Sequence, residues 1–267
     1  MKYIMVVLTL ILLGLQALAG KITDDFEDGD LRGWRRTQTA GAEWNVKNGE
    51  LVFTAENFCR ATAALGTGDK TWIDYEFSID FSIKETFPAG PGCWWPVLGI
   101  LIQSDMAETG TLKHNRNQYV AAYSLNPEPD RGNDGWNQKA CDVRMALTPP
   151  GPYNLDDFLT KPRKWYTLRL SSNTAGDNNQ DSVTTYQVFM NDKMICDFSF
   201  PTPFLGGERI NVGGVAITIR NAEVHFDNVV IAGESIPDMD VNDFVGAWSV
   251  SRGGKLATTW GEIKRHR

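Results

Sequence analysis

The chain has little of what nucleophilic, phosphate or redox chemistry needs. Its 267 residues include three histidines, His114, His225 and His266. No Gly-x-Ser-x-Gly elbow, phosphate-cradling loop or dinucleotide fingerprint is present. Serine hydrolysis, nucleotide-driven chemistry and dinucleotide-linked hydride transfer therefore have no motif to rest on. Positive charge is not in excess either. The formal charge is −7, which argues against a nucleic-acid partner and leaves a glycan partner open. The four cysteines, Cys59, Cys93, Cys141 and Cys196, are widely spaced and contain no C-x-x-C pair, so they do not read as a zinc site. In an oxidising compartment an even number points to disulfides, with three connectivities open. No long apolar run follows residue 18, and helical periodicity is almost absent.

What is present begins with a leader. Lys2 precedes an almost unbroken apolar run, Ile4 to Leu18, and Ala17-Leu18-Ala19 has the small-x-small form of a cleavage site. Residues 1–19 read as a secretory signal peptide cleaved after Ala19. The mature chain is expected to be exported, secreted or periplasmic, with no membrane span. Residues 20–233 have the length and texture of one all-β domain. Residues 234–267 lose the alternation and read as a C-terminal tail. Trp248, Leu256, Trp260 and Ile263 in that tail leave open a segment that docks on another surface.

The segment Trp72–Ile83 organises the domain. Ile73, Tyr75, Phe77, Ile79, Phe81 and Ile83 alternate with Trp72, Asp74, Glu76, Ser78, Asp80 and Ser82. Period-two alternation is a strand with one apolar face. Six apolar residues on one face need a facing layer, and a second sheet is the usual one. Asp28-Gly29 and Asn48-Gly49 supply turn chemistry. Val97–Gln103 is nearly all apolar and reads as a central strand. About twelve short strands separated by turn signals predict a two-sheet antiparallel sandwich.

Several segments then carry a family resemblance. Phe26-Glu27-Asp28-Gly29, Gly33-Trp34 and Trp44-Asn45-Val46-Lys47-Asn48-Gly49-Glu50-Leu51 resemble the opening of concanavalin A-like, laminin G-like jelly-roll domains. Lys164–Arg169, Val188–Lys193, Gly213–Ile217 and Val224–Ile231 are similar to the late strands. The opening and close also resemble the 3-keto-disaccharide hydrolase and family-16-like group. The resemblance implies a jelly-roll sandwich that binds carbohydrate, cleaves it, or holds surfaces together. It also implies a structural calcium between Glu27 and Asp227, with Asp25 or Asp28 as alternatives to Glu27. Carboxylates and loop carbonyls suit calcium, which takes six to eight oxygens.

Two further sets of residues stand out. Asp74 and Glu76, with Asp80 beyond, share one face of the predicted strand, roughly 6–7 Å apart from the strand rise. That is close to the spacing of a glycosidase acid/base pair. The order Asp-x-Glu-x-x-x-Asp nevertheless departs from the Glu-x-Asp-x-x-Glu of family-16 hydrolases. The second set is aromatic. Trp94, Trp95, Tyr119, Tyr123 and Trp136 lie in or beside polar stretches with Arg131, Asn117, Gln118, Asn133, Asn137 and Gln138 nearby. Sugar C–H faces pack on rings while their hydroxyls need such polar groups, and sites favour loops on a rigid scaffold. The expectation is an exported, non-catalytic carbohydrate-binding or surface-adhesion module with a glycan partner, and a glycoside hydrolase is the alternative.

Overall fold

The computed structural model describes residues 20–38, 41–55, 62–87, 97–104, 121–129, 136–142, 153–154, 161–176, 182–201, 204–205, 208–209 and 212–243. Its strands in chain order are β1 Gly20–Asp24, β2 Arg35–Gln38, β3 Ala42–Lys47, β4 Glu50–Ala55, β5 Thr62–Thr67 and β6 Tyr75–Thr86. Next come β7 Val97–Ser104, β8 Ala121–Pro129, β9 Trp136–Asp142, β10 Tyr153–Asn154, β11 Tyr166–Ala175 and β12 Val183–Met190. The last are β13 Lys193–Pro201, β14 Phe204–Leu205, β15 Glu208–Arg209, β16 Gly214–Arg220, β17 Ala222–Gly233 and β18 Met239–Asp240, followed by a 3-10 turn at Val241–Asp243.

Two large sheets form a jelly-roll sandwich. The nine-stranded sheet runs β13-β12-β11-β6-β17-β1-β18, with β4 also on β17 and β3 on β4. The seven-stranded sheet runs β10-β9-β8-β7-β16-β5-β2. A short hairpin, β14-β15, is separate. Strand β17 is long enough to hold β6 along one edge and to divide its other edge between β4, at Val224–Phe226, and β1, at Val229–Gly233. Its register shifts between Asp227 and Val230, where Asn228 takes a positive φ of 50°. An extra residue bends a strand and raises its twist, and here the bend falls where the edge partner changes.

The predicted alternation produces the core. Tyr75, Phe77, Ile79, Phe81 and Ile83 of β6 are buried against Leu98, Ile100 and Ile102 of β7 and Val215, Ile217 and Ile219 of β16 within one apolar cluster. Burying each such side chain contributes about 1.5–3 kcal/mol. Trp44 packs on Phe53 with ring centroids 5.0 Å apart, joining β3 and β4 to this core.

Three sequence expectations change. The alternation does not reach back to Trp72, because Asp74 has φ 52° and breaks the extended backbone. Trp72 is therefore buried, edge-on to Tyr75 at 6.1 Å, instead of standing on the polar face. The packed region also runs past residue 233. Strand β18 pairs in parallel with β1, and Ile236 and Val241 are buried. Finally, Asn126–Lys139, whose Asn, Gly, Asp and Pro read as a polar loop, is partly strand, since β8 runs to Pro129 and β9 begins at Trp136.

Candidate functional site

The three acidic residues expected on one face do not converge. At φ 52°, Asp74 turns its carboxylate toward Thr174, whose hydroxyl donates to Oδ1 at 2.7 Å. Glu76 stays on the outer face of the nine-stranded sheet and pairs with Arg169 at 2.7 Å. Asp80 accepts from the Thr167 hydroxyl at 2.5 Å and from Asn228 Nδ2 at 2.9 Å. Each carboxylate thus has its own donors. The acid/base geometry predicted for Asp74 and Glu76 required both to share one extended face, and the left-handed residue removes it.

The residues proposed for calcium are also apart in their contacts. Glu27 is exposed and lies over Gly49 in the β3–β4 turn, close enough that a Cβ there would strike its carboxylate. Asp227 accepts from the Asn228 backbone N–H at 2.7 Å. Burial pushes its pKa up, and Asp80, Glu50 and Asp25 add like charge. Among the described residues, no group of three or more His, Cys, Asp or Glu is placed to hold a metal. His225 contacts neither Glu27 nor Asp227. Its ring nitrogens lie 2.6 Å from Glu50 and 3.0 Å from Glu223.

A surface hollow of about 330 Å³ opens beside β1, lined by Asp24, Asp25, Asp28, Asn228, Asp240 and Asn242 among others. Asp24 is the buried member. The Trp34 indole N–H donates to its Oδ2 at 2.6 Å and the Phe26 N–H to its Oδ1 at 2.8 Å. Desolvation outweighs both bonds and pushes its pKa up to about 6.

The outer face of the seven-stranded sheet differs in character. The paired positions run Thr37, Ala64, Thr218, Gly99 and Ser124 in one row, and Arg35, Gly66, Ala216, Leu101 and Ala122 in the next. The alternate residues Leu65, Ile100 and Ile217 enter the core. Ala64, Gly66, Gly99, Leu101 and Ala216 are buried and make a floor of mostly small side chains. Thr37, Arg35, Thr218 and Arg220 stand half-buried around it. At Gly99 a side chain would meet the Thr218 methyl group, so the small residue lets Thr218 lean over the floor. Burial pulls the Arg220 pKa down.

A polar strut inside the sandwich supports this face. The Tyr75 hydroxyl of β6 donates to the Gly213 and Gly214 carbonyls, each at 2.8 Å, and accepts the Gln103 N–H at 2.7 Å. The Tyr186 hydroxyl of β12 donates to Gln103 Oε1 at 2.8 Å. Gln103 has φ 55° at the point where β7 and β16 shift register. Burial raises both tyrosine pKa values, so both phenols stay protonated as donors.

The aromatic set is only partly visible. Trp94, Trp95, Tyr119 and Arg131 lie outside the described residues. Tyr123 pairs with Ile100, and Trp136 opens β9 opposite Pro129. Arg35, Thr37, Thr218 and Arg220 were not singled out by sequence. Alternation in Gly-Val-Ala-Ile-Thr-Ile-Arg marks one face of β16, but only the register shows that β2 shares it.

An all-β sandwich of two antiparallel sheets with this connectivity is a lectin-like jelly roll. The chain belongs to the 3-keto-α-glucoside-1,2-lyase-like domain family, which it matches over residues 21–232. This is a sugar-binding or sugar-active family. No curated protein matches the chain. Among solved structures it is similar to a mutant of the alginate lyase Aly36B in complex with an alginate tetrasaccharide. That match has 10% identity over 83% of this chain and 98% of the other, at TM-score 0.50. It is also similar to the Ca2+-bound exoplasmic/lumenal domain of VIP36, with 9% identity over 84% and 93% of the two chains at TM-score 0.49. A third is the Emp47p carbohydrate recognition domain, with 10% identity over 82% and 96% at TM-score 0.46.

Proposed function

We propose that the protein is an exported, non-catalytic carbohydrate-binding module whose ligand lies on the outer face of the seven-stranded sheet. The observation that carries this reading is the polar border on that face, Thr37, Arg35, Thr218 and Arg220, which stays half-buried around a buried floor of small residues. The border supplies hydroxyl and guanidinium groups of the kind that orient a polar ligand. Membership of a sugar-active family supports it. So does the separate pairing of Asp74, Glu76 and Asp80. The leader at residues 1–19 supports export to a compartment where glycans are met. Calcium at Glu27 and Asp227 is not part of this reading, because their contacts do not form one ligand set. A second reading, cleavage of a glycoside, is favoured by the lyase-like family itself.

The test is a glycan array with the purified chain, followed by incubation with any bound glycan and analysis of products. Binding to one glycan class with the glycan recovered intact is the expected result. Altered or shortened products would move the assignment to the enzyme. A blank array from folded protein would overturn both.

A further inference from the structure

Bases gather at one corner of the nine-stranded sheet. Lys161, Arg163 and Lys164 are exposed in the short turn that leads into β11, and half-buried Lys84 comes from the end of β6. The backbone brings them together. The Arg163 N–H donates to the Ile83 carbonyl at 2.7 Å and the Lys164 N–H to the Lys161 carbonyl at 3.4 Å. The Lys161 N–H donates to the Tyr166 hydroxyl at 2.8 Å. The turn is therefore tied to β6 and to β11. We infer that this corner is a second interaction surface, which binds an acidic polysaccharide through Lys84, Lys161, Arg163 and Lys164. The inference goes beyond the proposed ligand face on the seven-stranded sheet and does not depend on it.

The charges at this corner are open. None of the four bases forms an ion pair with an acid among the described residues. Glu85, next to Lys84, and Asp192, in the β12–β13 turn, are exposed and pair with none of them. Aromatic rings hold two of the lysines instead. Lys84 Nζ lies 4.9 Å from the Trp165 ring centroid and Lys164 Nζ 5.6 Å from that of Tyr166. A ring orients a cation without neutralising it. Acids outnumber bases 33 to 26 over the whole chain, so an unpaired cluster of bases goes against the composition. The backbone points the same way. Arg163 has φ 60° at the turn position after Pro162, a place that usually takes Gly or Asn. An arginine there keeps a charge at a conformational cost. The occupant follows from the chemistry. A guanidinium presents paired donors to a carboxylate or sulfate, and ammonium groups add point charges. Trp165 is half-buried and Tyr166 buried under the lysines, so the corner offers charge without the apolar edge that a bilayer takes up. The molecule as a whole carries −7 and repels polyanions at long range, so this local patch has to supply the attraction.

Binding would be measured to dextran sulfate, to carboxymethyl-dextran and to plain dextran, three polymers with one backbone, with EDTA present so that calcium bridges do not contribute. Both charged polymers are expected to bind, more weakly as salt rises, and plain dextran is not. Lys161→Gln, Lys164→Gln and Lys84→Gln should each weaken binding by about fivefold. Lys21→Gln, an exposed base elsewhere on the same sheet, should leave it unchanged. Arg163→Gly should weaken binding by a similar factor while melting no lower than the unmodified protein, because glycine takes φ 60° without strain. That pair of readouts separates recognition from misfolding. Binding of one charged polymer alone, with the same dependence on the turn, would support the inference and narrow the class to that anion. Equal binding of plain dextran, binding indifferent to the four bases, or no binding to either charged polymer would overturn it. Preference for phosphatidylglycerol vesicles over both polymers would also overturn it, in favour of a membrane surface. None of these results bears on the glycan array, which reports on the seven-stranded sheet through neutral glycans and is unaffected by the loss of these bases.

Discussion

Asp24 shows how one residue couples the fold to pH. The residue is 7% exposed and its pKa is pushed up to about 6 from 3.8. The folded state therefore binds this proton more tightly than the unfolded chain. The group's contribution is most favourable below about pH 4 and is lost as pH rises through about 6, a change of order 2–3 kcal/mol. Thermal melts from pH 4 to 7 should show this loss superimposed on the other titrations. In Asp24→Asn that component should flatten, because no proton is exchanged. The variant should still be less stable overall, since its amide NH2 would face the Trp34 N–H. A pH profile identical to that of the unmodified protein would remove Asp24 as its source. By contrast, the Glu76–Arg169 pair is solvent-accessible, and Glu76→Gln should cost under about 1 kcal/mol.

At the scale of elements, two predictions follow from packing. Ile79 of β6 is fully buried between the sheets, and Ile79→Ala should destabilise the fold by about 2–5 kcal/mol in chemical denaturation. The end of the domain offers the second test. Gly20 and Gly33 sit against the Ile236 and Val241 carbonyls so closely that a Cβ at either would collide with them. Gly33 also has φ 81°, a conformation that L side chains rarely adopt. The stretch 234–243 is therefore part of the sandwich. A chain ending at Gly233 should melt well below one ending at Asp243, because it loses β18 and the burial of Ile236 and Val241. Equal melting temperatures would return these residues to the tail.

At the scale of the whole molecule, sequence and structure determined different things. Alternation in β6, β7, β11, β16 and β17 was enough to predict a two-sheet sandwich, since a one-faced apolar strand has to be covered and its period is local. The turn at Asn48-Gly49 was equally legible, because it depends on adjacent residues alone. The resemblance pointed to the jelly roll and to a sugar-related family, and both hold. The tertiary structure decided where side chains point once that period is interrupted. A left-handed backbone at Asp74 separated it from Glu76, and no alternation rule contains that rotation. It also decided which strands are neighbours. Arg35 and Arg220 are 185 positions apart (220 − 35) and share a face only because β5 pairs with both β2 and β16. Periodicity is written into each segment, whereas register and face-sharing between distant strands arise only when the chain closes on itself.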